Sequence, residues 1–350
     1  MSIIDSNKVI KLREVLDEIF RESGVQPREI MKMVEYGSDG YNRLSTPYNR
    51  DGFEMSYALY FLPEHIPKVL IILNELRSRF NERLLRVVEI VDVGCGVGTS
   101  GIAYKMMFAD HKAICLIDRD AGFLNLAKDI FRRFGIDGVR ISRCDYINAD
   151  IVSERPSLYF FANTLSENID RLDRISSIIE SILKRQNNLV VIIEPLNKNG
   201  GEAVLRLRNR FAKNILMPCI SIGDCALMRS DNRVCHYNIR QEISRSLEVV
   251  VSSTHRMAKF YYLVLSNDLV ESKDNLYRIL EYPVKRPYGF DIRVCNQKAI
   301  TDLKIKTSNS LEKRTINQLS PNDVILFDSS GETPSSRPID FSRINIQKIS

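Results

Sequence analysis

The sequence lacks any apolar run long enough to cross a membrane. Its longest apolar stretches, such as residues 57–62, are far shorter than the ~20 residues of a membrane-spanning helix. Its first 20 residues also lack the pattern of a targeting signal, because lysine and arginine are mixed there with aspartate and glutamate. We therefore expect a protein without a membrane anchor, located in the cytoplasm.

Tryptophan is absent. No class of residue makes up an unusually large part of the sequence. Of the 350 residues, 44% are hydrophobic and 27% are charged, which excludes a fibrous chain and one that is disordered throughout. The length predicts one main domain with large additions, or two domains. The net charge of +6 suits an anionic partner such as RNA, although many enzymes without nucleic-acid ligands are equally basic.

The spacing of apolar residues divides the chain into four parts. Residues 1–85 are predicted to form a helical N-terminal subdomain, since apolar residues recur there at three- and four-residue steps. Residues 86–200 alternate apolar strands with helices, which predicts an α/β domain with a doubly wound parallel sheet. Residues 201–328 form a predicted cysteine-rich and β region, and residues 329–350, with little to bury, are predicted to be a disordered tail.

A glycine turn follows the first predicted strand of the α/β part. The apolar residues 87–93 lead into Gly94, Gly96 and Gly98, and a helix is predicted from Thr99. Glycine lets a ligand approach the backbone closely, and the free N–H groups at a helix start favour polar ligand atoms. Because such turns also serve as plain connectors, the neighbouring strands decide how this one is interpreted.

Two further predicted strands end in aspartate. Asp118 follows residues 113–117, where a carboxylate accepts hydrogen bonds from ribose hydroxyls. Asp145 follows the next strand, where it is placed to bond an adenine amino group. These strand ends, in this order, predict a nucleotide-type pocket. No Lys-Ser or Lys-Thr follows Gly98, which excludes a Walker-type phosphate site.

The segment Asp92-Val93-Gly94-Cys95-Gly96-Val97-Gly98 resembles the first motif of class I methyltransferases. Dinucleotide-binding folds, the alternative, usually carry G-x-G-x-x-G without the leading aspartate. The resemblance implies a Rossmann-like class I methyltransferase fold that binds S-adenosylmethionine, with the opening aspartate near the amino-acid end of the donor. The candidate donor-binding residues are Asp92, Gly94, Cys95, Gly96, Gly98, Thr99, Asp118, Arg119, Asp145 and Asn163.

The residues after the fourth predicted strand leave the catalytic residues unknown. Many base-nitrogen methyltransferases hold their target there with Asn-Pro-Pro-aromatic, whereas this chain has Asn163-Thr164-Leu165-Ser166-Glu167. Asn163 and Glu167 are the candidates for orienting or deprotonating a substrate. Alternatively, Asn163 only caps a polar strand-to-helix turn.

Seven cysteines are present, and we expect them to be reduced in an intracellular chain. Cys95, Cys115 and Cys144 lie in or beside predicted strands and are expected to be small core residues. The others lie outside the predicted parallel sheet: Cys219, Cys225, Cys235 and Cys295. Their spacing matches no compact zinc motif, so metal binding and scattered reduced thiols both remain open.

The segments around these four cysteines resemble the methyltransferase-like assembly factors of the mitochondrial small ribosomal subunit and their prokaryotic relatives. The similarity covers about residues 57–295 and includes Met217-Pro218-Cys219, Cys235-His236-Tyr237 and residues 259–266. Four cysteines hold an iron–sulfur cluster in that family. The resemblance therefore implies a [4Fe-4S] cluster, with zinc as the alternative, bound by Cys219, Cys225, Cys235 and Cys295.

A basic segment, residues 206–245, contains three of these cysteines. It carries eight lysines and arginines against three acidic residues, which suits either RNA phosphates or a solvated helix face with internal ion pairs. Together with the resemblance, this predicts a methyltransferase for small-subunit ribosomal RNA or a donor-dependent assembly factor of that subunit, with a monomer favoured. The alternative is a noncatalytic RNA-binding maturation factor that uses donor and cluster structurally.

Overall fold

Two compact units make up the chain. The computed structural model describes residues 6–43, 52–220, 225, 235–240, 257–267, 276–296, 299–328 and 338–348. Unit 1 comprises Met1–Val204 and Asn238–Tyr262, and unit 2 comprises Leu205–Tyr237 and Leu263–Ser350. The division into four parts that the sequence suggests stays a prediction.

Unit 1 begins with helices. They are α1 Ser6–Ser23, α2 Pro27–Arg43, α3 Phe53–Ser56 and, after a π-helical turn at Tyr57–Phe61, α4 Leu62–Arg86. In α1, Leu12, Leu16 and Ile19 are buried, as expected for the single apolar face of a helix that packs on a core. No helix in the described part of the chain is long and apolar enough to span a membrane.

A parallel sheet forms the centre of unit 1. Its strands are β1 Glu89–Val93, β2 Ala113–Asp118, β3 Arg140–Arg143, β4 Ser157–Ala162 and β5 Leu189–Pro195, and the helices between them are α5 Thr99–Met107, α6 Ala121–Phe134 and α7 Leu172–Leu183. The strand order is β3-β2-β1-β4-β5, and all neighbouring pairs are parallel. This doubly wound, Rossmann-like order confirms the predicted class I methyltransferase fold.

The order of these strands determines where a ligand can bind. All five residues of β1 are buried, since β1 has a strand on either side and helices cover both faces of a doubly wound sheet. Val93, at the end of β1, lies beside Ile117 of β2 and Phe161 of β4. The strand order reverses between β1 and β4, and such a reversal leaves a crevice at the carboxyl ends of the strands. The glycine turn and both aspartates lie at this edge.

Gly98 is the residue at which the glycine turn becomes helix α5. Its φ of +79° lies in the left-handed region, and a Cβ there would lie 2.4 Å from Cε2 of Phe131. Gly98→Ala should therefore lower the free energy of unfolding by about 2–5 kcal/mol, through backbone strain and overpacking together. The change is measured by urea unfolding.

Gly138→Ala is the matched control for this substitution. Gly138 has a similar φ of +71°, but a Cβ there would meet nothing within 4 Å. The control should show only the cost of backbone strain, about 1–3 kcal/mol. If the two variants lose equal stability, the packing of Gly98 against Phe131 is not as described.

After β5 the chain continues with helix α8 Lys198–Arg210, and a long strand, β8 Met257–Ser266, lies further along. β8 follows β5 in the sheet order. Its last residues, in unit 2, pair antiparallel with β6 Ile215–Met217, and a short strand, β7 Tyr237–Arg240, also pairs with β8. The residues that precede Cys219 are thereby fixed to a strand.

Unit 2 contains a second sheet. Its strands are β9 Leu276–Ile279, β10 Val284–Arg286, β11 Gly289–Cys295, β12 Ile300–Lys306, β13 Val324–Asp328, β14 Ile339–Asp340 and β15 Asn345–Lys348, and helix α9 Ser310–Asn317 lies between β12 and β13. The order is β14-β12-β11-β9-β13-β15, with β10 paired to β11. Alternate residues of β11 and β12, such as Ile292 and Leu303, form the core.

The end of the chain differs from the predicted disordered tail. β14 and β15 lie within that stretch and pair with β12 and β13. Ile339 is buried, and Phe341, Ile344 and Ile346 pack against the core of unit 2. Few apolar residues are needed here, because a strand satisfies its backbone by pairing and buries only alternate side chains. Composition alone therefore underestimated the order of residues 338–348.

Candidate functional site

A cleft of about 670 Å³ opens in unit 1 at the carboxyl ends of the parallel strands. Seven of the residues predicted from the sequence line it: Gly94, Gly96, Asp118, Arg119, Asp145, Asn163 and Glu167. The strand order thus brings together residues that lie up to about 70 positions apart in the chain.

A smaller recess of about 320 Å³ adjoins the cleft, with Gly94 and Asn163 in both linings. Three more of the predicted residues line the recess: Asp92, Cys95 and Thr99. Gly98 lines neither cavity and packs against Phe131 instead. Its position in the turn therefore serves the local fold, and its predicted role in donor binding stays a prediction.

Asp118 ends β2 and braces the glycine turn. Its Oδ2 accepts the N–H of Gly96 at 2.8 Å, and its Oδ1 accepts the N–H of Asp120 at 3.0 Å. Burial raises the pKa of the Asp118 carboxyl, and these backbone N–H groups act in the opposite direction. One carboxylate thus sets the position of the turn and faces the cleft where ribose hydroxyls are expected.

Asp145 follows β3 and is held in a similar way. Its Oδ1 accepts the N–H of Ile147 at 3.1 Å, and its Oδ2 accepts Nδ2 of Asn148 at 2.7 Å. Each oxygen has a second lone pair for a ligand. The carboxylate is therefore fixed in orientation before any ligand arrives, which lowers the entropy lost on binding.

Asp92, the last residue but one of β1, lies beside the recess and is buried. Its Oδ2 accepts the N–H groups of Ser100 at 3.0 Å and of Gly101 at 3.3 Å, at the start of α5. Burial raises the pKa of Asp92 to about 7, even though those two N–H groups favour the charged form. This carboxyl group therefore changes its charge near neutral pH.

The raised pKa of Asp92 predicts a pH-dependent stability. Between about pH 4 and pH 7 the folded protein holds a proton on Asp92 that the unfolded chain has released, so stability falls as the pH rises through this window. Asp92→Asn keeps an acceptor for Ser100 and Gly101 but cannot titrate. Relative to the wild type, its free energy of unfolding should rise by up to about 1.4 kcal/mol per pH unit from pH 5 to 7 and level off above.

Urea unfolding without donor at pH 5, 6, 7 and 8 measures this difference. Glu194 is buried with its pKa also raised to about 7, so the variant should retain part of the slope. Asp137→Asn, at an exposed position, is the control and should follow the wild type at every pH. Parallel curves for Asp92→Asn and the wild type would contradict the prediction.

Asn163 lies where the cleft and the recess meet. Its φ of +58° is in the left-handed region, which asparagine tolerates better than most residues. Its Nδ2 lies 3.0 Å from Nδ1 of the buried His65. Burial lowers the pKa of His65 well below its ordinary value, so the ring is neutral and accepts from the amide through Nδ1. The ring proton is then on Nε2, which faces Glu64 at 3.9 Å.

His65 and its neighbours on α4 were missed by the sequence analysis. Lys68 lines the recess and pairs with Oε1 of Glu64 at 3.0 Å. Tyr57 lines both cavities, with its ring 5.4 Å from that of Phe123. The helical periodicity indicated the buried face of α4, but nothing in the sequence indicated that this face reaches the end of β1.

Glu194 is a second buried carboxylate near the site. Its two oxygens accept the N–H groups of Leu165 at 2.8 Å and Ser166 at 3.0 Å. Both N–H groups lie at the start of the 3₁₀-helix Ser166–Arg171, whose first-turn N–H groups have no partner within the helix. Glu194 therefore fixes the loop that carries Glu167 into the cleft.

A second cavity, in unit 2, is lined by thiols. Cys219, Cys225, Cys235 and Cys295 share this space with Pro218 and Ile220, and we call it the thiol cavity. Burial raises the pKa of Cys219, Cys235 and Cys295, which keeps these thiols protonated when no metal is bound. Among the described residues, no group of three or more Cys, His, Asp or Glu side chains has an arrangement that could hold a metal ion.

Two buried arginines complete the thiol cavity. Arg208 is 3% exposed and hydrogen-bonds to Cys219, and Arg278 is 2% exposed and donates to the carbonyl oxygen of Pro218 at 2.8 Å. No carboxylate is among the described residues that line this cavity. Both arginines act to lower the pKa of Cys219, against the larger effect of burial.

The model of the family described as mitochondrial small ribosomal subunit Rsm22 matches residues 53–313. The chain belongs to this family. The matched stretch contains the glycine turn, Asp118, Asp145 and the four cysteines of the thiol cavity. No curated protein matches the sequence at a significant level.

Solved structures similar to this member of the Rsm22 family include methyltransferases of low sequence identity. A putative O-methyltransferase from Nostoc punctiforme is 15% identical, with 48% of this chain and 52% of that chain covered and a TM-score of 0.38. Precorrin-6y C5,15-methyltransferase from Geobacter metallireducens is 12% identical, with 57% and 87% covered and a TM-score of 0.35. Ribosomal protein L11 methylase from Lactobacillus delbrueckii is 10% identical, with 57% and 78% covered and a TM-score of 0.33. This chain thus spans about half the length of the O-methyltransferase from Nostoc punctiforme.

Proposed function

We propose that the chain binds S-adenosylmethionine in the cleft of unit 1 and acts on small-subunit ribosomal RNA, or in small-subunit assembly, as a methyltransferase-like protein. The observation that carries the proposal is the cleft itself, where a glycine turn meets Asp118 and Asp145 at the ends of neighbouring strands. The family description, which names the mitochondrial small ribosomal subunit, supports the choice of partner.

The charge of the cleft favours a cationic donor. Its lining contains one arginine against four carboxylates, those of Asp118, Asp120, Asp145 and Glu167. This balance suits a sulfonium and opposes the pyrophosphate of a dinucleotide. We assign the ribose hydroxyls to Asp118, the adenine amino group to Asp145, and the amino-acid end to the recess beside Asp92. When bound, S-adenosylmethionine supplies an electrophilic methyl group.

The residues around Asn163 would serve the transfer by positioning. His65 holds the amide of Asn163, so that its Oδ1 is oriented before a substrate binds. Glu167 lines the same cleft and is the group placed to accept a proton from a substrate. The aromatic rings of Tyr57, Phe123 and Tyr146 line the cleft and would exclude water.

Methyl-labelled donor and immature small subunits provide the test. If the protein is an enzyme, label appears in the ribosomal RNA, and Glu167→Gln lowers its rate of incorporation. Asp170→Asn, an exposed position in the same 3₁₀-helix, is the matched control and should keep the wild-type rate. Donor binding by calorimetry without label in any substrate would contradict catalysis.

That outcome would favour the second candidate, a noncatalytic RNA-binding maturation factor. Two observations support it. The segment after β4 lacks the Pro-Pro pair of many base methyltransferases, and the amide of Asn163 already bonds to His65 within the protein. In this case the donor would stabilise unit 1 without reacting.

We propose further that the thiol cavity holds a [4Fe-4S] cluster, with zinc as the alternative. Four sulfur ligands suit both in number and type. Either site carries net negative charge, which buried Arg208 and Arg278 in the same lining would stabilise. Such a group would tie β6 and β11 together, because Cys219 follows the first and Cys295 ends the second. Iron gives absorption near 400 nm, and a colourless, zinc-containing protein would contradict the cluster.

A cytoplasmic location and a monomeric state are proposals that rest on the sequence alone. Fractionation of cells that produce the full chain would test the location, and fractionation with mitochondria would contradict it. Sedimentation of the purified protein would give the oligomeric state.

A further inference from the structure

The strands of unit 2 close on themselves. β11 pairs antiparallel with both β9 and β12, and β13 pairs antiparallel with β9. The stretch that contains β14 and β15 then joins the two edges, since β14 runs parallel to β12 and β15 runs antiparallel to β13. The result is a barrel of five strands, with β14 and β15 as two halves of the fifth.

The interior of this barrel is filled with side chains. Phe290, Ile292 and Val294 of β11 face inward, opposite Leu303 and Ile305 of β12. Ile316 of α9 belongs to the same core, and so does Leu319, two residues after the end of this helix. The helix between the third and fourth strands therefore packs onto the barrel.

We propose that this barrel is an OB-fold module that binds single-stranded RNA across β11 and β12. Its five strands pair in the order first, second, third, fifth, fourth, with a helix after the third, which is the arrangement of an OB-fold. Such barrels bind oligonucleotides on the face of the second and third strands and on the adjoining loops. The proposal rests on the proposed function only for the choice of RNA, and it does not involve the methyl donor.

The outward face of β11 and β12 is basic. Because inward residues alternate with outward ones, Asp291 and Arg293 of β11 face outward, beside Lys304 and Asp302 of β12 in register. Lys306, next along β12, is exposed. A groove with clustered cations tracks the phosphates of a single strand.

The loop between the first and second strands adds cations and an aromatic ring. It contains Lys285 and Arg286 on β10, both exposed, and Tyr282, which is 70% exposed. An exposed tyrosine beside cations offers a base a stacking surface. The same loop contains exposed Glu281, so with the strand residues the surface has five cationic side chains and three acidic ones. This net positive charge fits a polyanion.

One acidic residue of this surface is already neutralised. Oδ2 of Asp291 accepts Nε of Arg286 at 2.7 Å, and its Oδ1 accepts the hydroxyl of Tyr288. Asp291 therefore orients the hairpin of β10 and β11 without repelling the ligand.

Fluorescence polarisation with the full chain tests the proposal, with no donor present. The probe is a labelled single-stranded RNA about ten nucleotides long, within the range that an OB-fold covers. The wild type should bind it more tightly than a duplex of the same length. Tyr282→Ala should weaken binding by about tenfold. Replacing Lys304 and Lys306 by glutamine should lower the dependence of log K on log salt by about 0.7 per lysine.

Matched control variants lie in unit 1. Leu85→Ala removes a side chain that is 68% exposed, close to the 70% of Tyr282, and Lys184→Gln removes an exposed cation. Both should bind RNA as the wild type does. Equal affinities of the Tyr282 and Leu85 variants, or a preference for the duplex, would overturn the proposal.

Calorimetry with S-adenosylmethionine on the same samples separates this proposal from the proposed function. Tyr282→Ala should bind the donor as the wild type does, which shows that unit 1 of the variant is folded. Its melting transition for unit 2 should match that of the wild type, which shows that unit 2 is folded as well. A protein that binds the donor but not single-stranded RNA overturns the barrel proposal alone. A protein that binds the RNA through Tyr282 but gives no donor heat supports the barrel and contradicts the donor site.

Discussion

Replacing Asp118 with alanine is expected to weaken S-adenosylmethionine binding by about a hundredfold or more. We propose that this carboxylate accepts hydrogen bonds from two ribose hydroxyls. Hydrogen bonds to a charged group contribute about 1.5–3 kcal/mol each. The substitution also removes the acceptor of the Gly96 N–H, which braces the glycine turn. Titration calorimetry with the donor and with its demethylated product measures the loss.

Two companion variants separate these causes. Asp118→Asn keeps an acceptor for Gly96 but loses the charge, so its affinity should lie between those of the wild type and the alanine variant. Asp170→Ala, which removes an exposed carboxylate of unit 1, should bind normally. Wild-type affinity in Asp118→Ala would place the ribose elsewhere, and the absence of donor heat in folded wild type would remove the site.

Replacing Cys219 with alanine should abolish metal binding in unit 2. A four-thiolate site loses a ligand that no described side chain of the thiol cavity can replace, because the remaining lining is Pro218, Ile220 and the two arginines. Iron per chain should fall from about four to below one, with loss of the absorption near 400 nm. The melting transition of unit 2 should move to lower temperature, since the bound group that we propose to link β6 and β11 is lost.

Cys144→Ala is the control for this experiment. Cys144 is a half-buried cysteine of unit 1 that lines the cleft and takes no part in the thiol cavity. The Cys144→Ala variant should keep the iron content of the wild type and its absorption near 400 nm. Equal metal loss in both variants, or full metal content in Cys219→Ala, would contradict the assignment of the ligands.

The sequence predicted the parallel sheet because its signals are local. Four of the five strands, β1, β2, β4 and β5, are short apolar runs followed by a turn and a helix, and such runs need no long-range information to be recognised. Asp118 and Asp145 could be located for the same reason, since a residue that ends a parallel strand must lie at the ligand edge of the sheet.

His65 could not be located in this way. It lies in the middle of a helix, and its contact with Asn163 joins residues 98 positions apart. The periodicity of α4 shows that this face is buried but does not reveal which strand end it meets. The tertiary fold decides that contact, and with it the shape of the recess.

The closure of the strands of unit 2 into a barrel could not be predicted from the sequence for a related reason. Its fifth strand consists of two short pieces, Ile339–Asp340 and Asn345–Lys348, in a stretch poor in apolar residues. Neither piece is long enough to show an alternating pattern. Their pairing with β12 and β13 supplies what the local sequence lacks.

The late position of that fifth strand has a consequence for biosynthesis. A nascent chain can assemble the parallel strands of unit 1 once residue 195 has emerged, but unit 2 has two unpaired edges until residues 339–348 have been translated. During this interval β12 and β13 can add strands from other chains. Truncation before residue 339 should therefore yield a protein that aggregates through unit 2, whereas unit 1 reaches its fold.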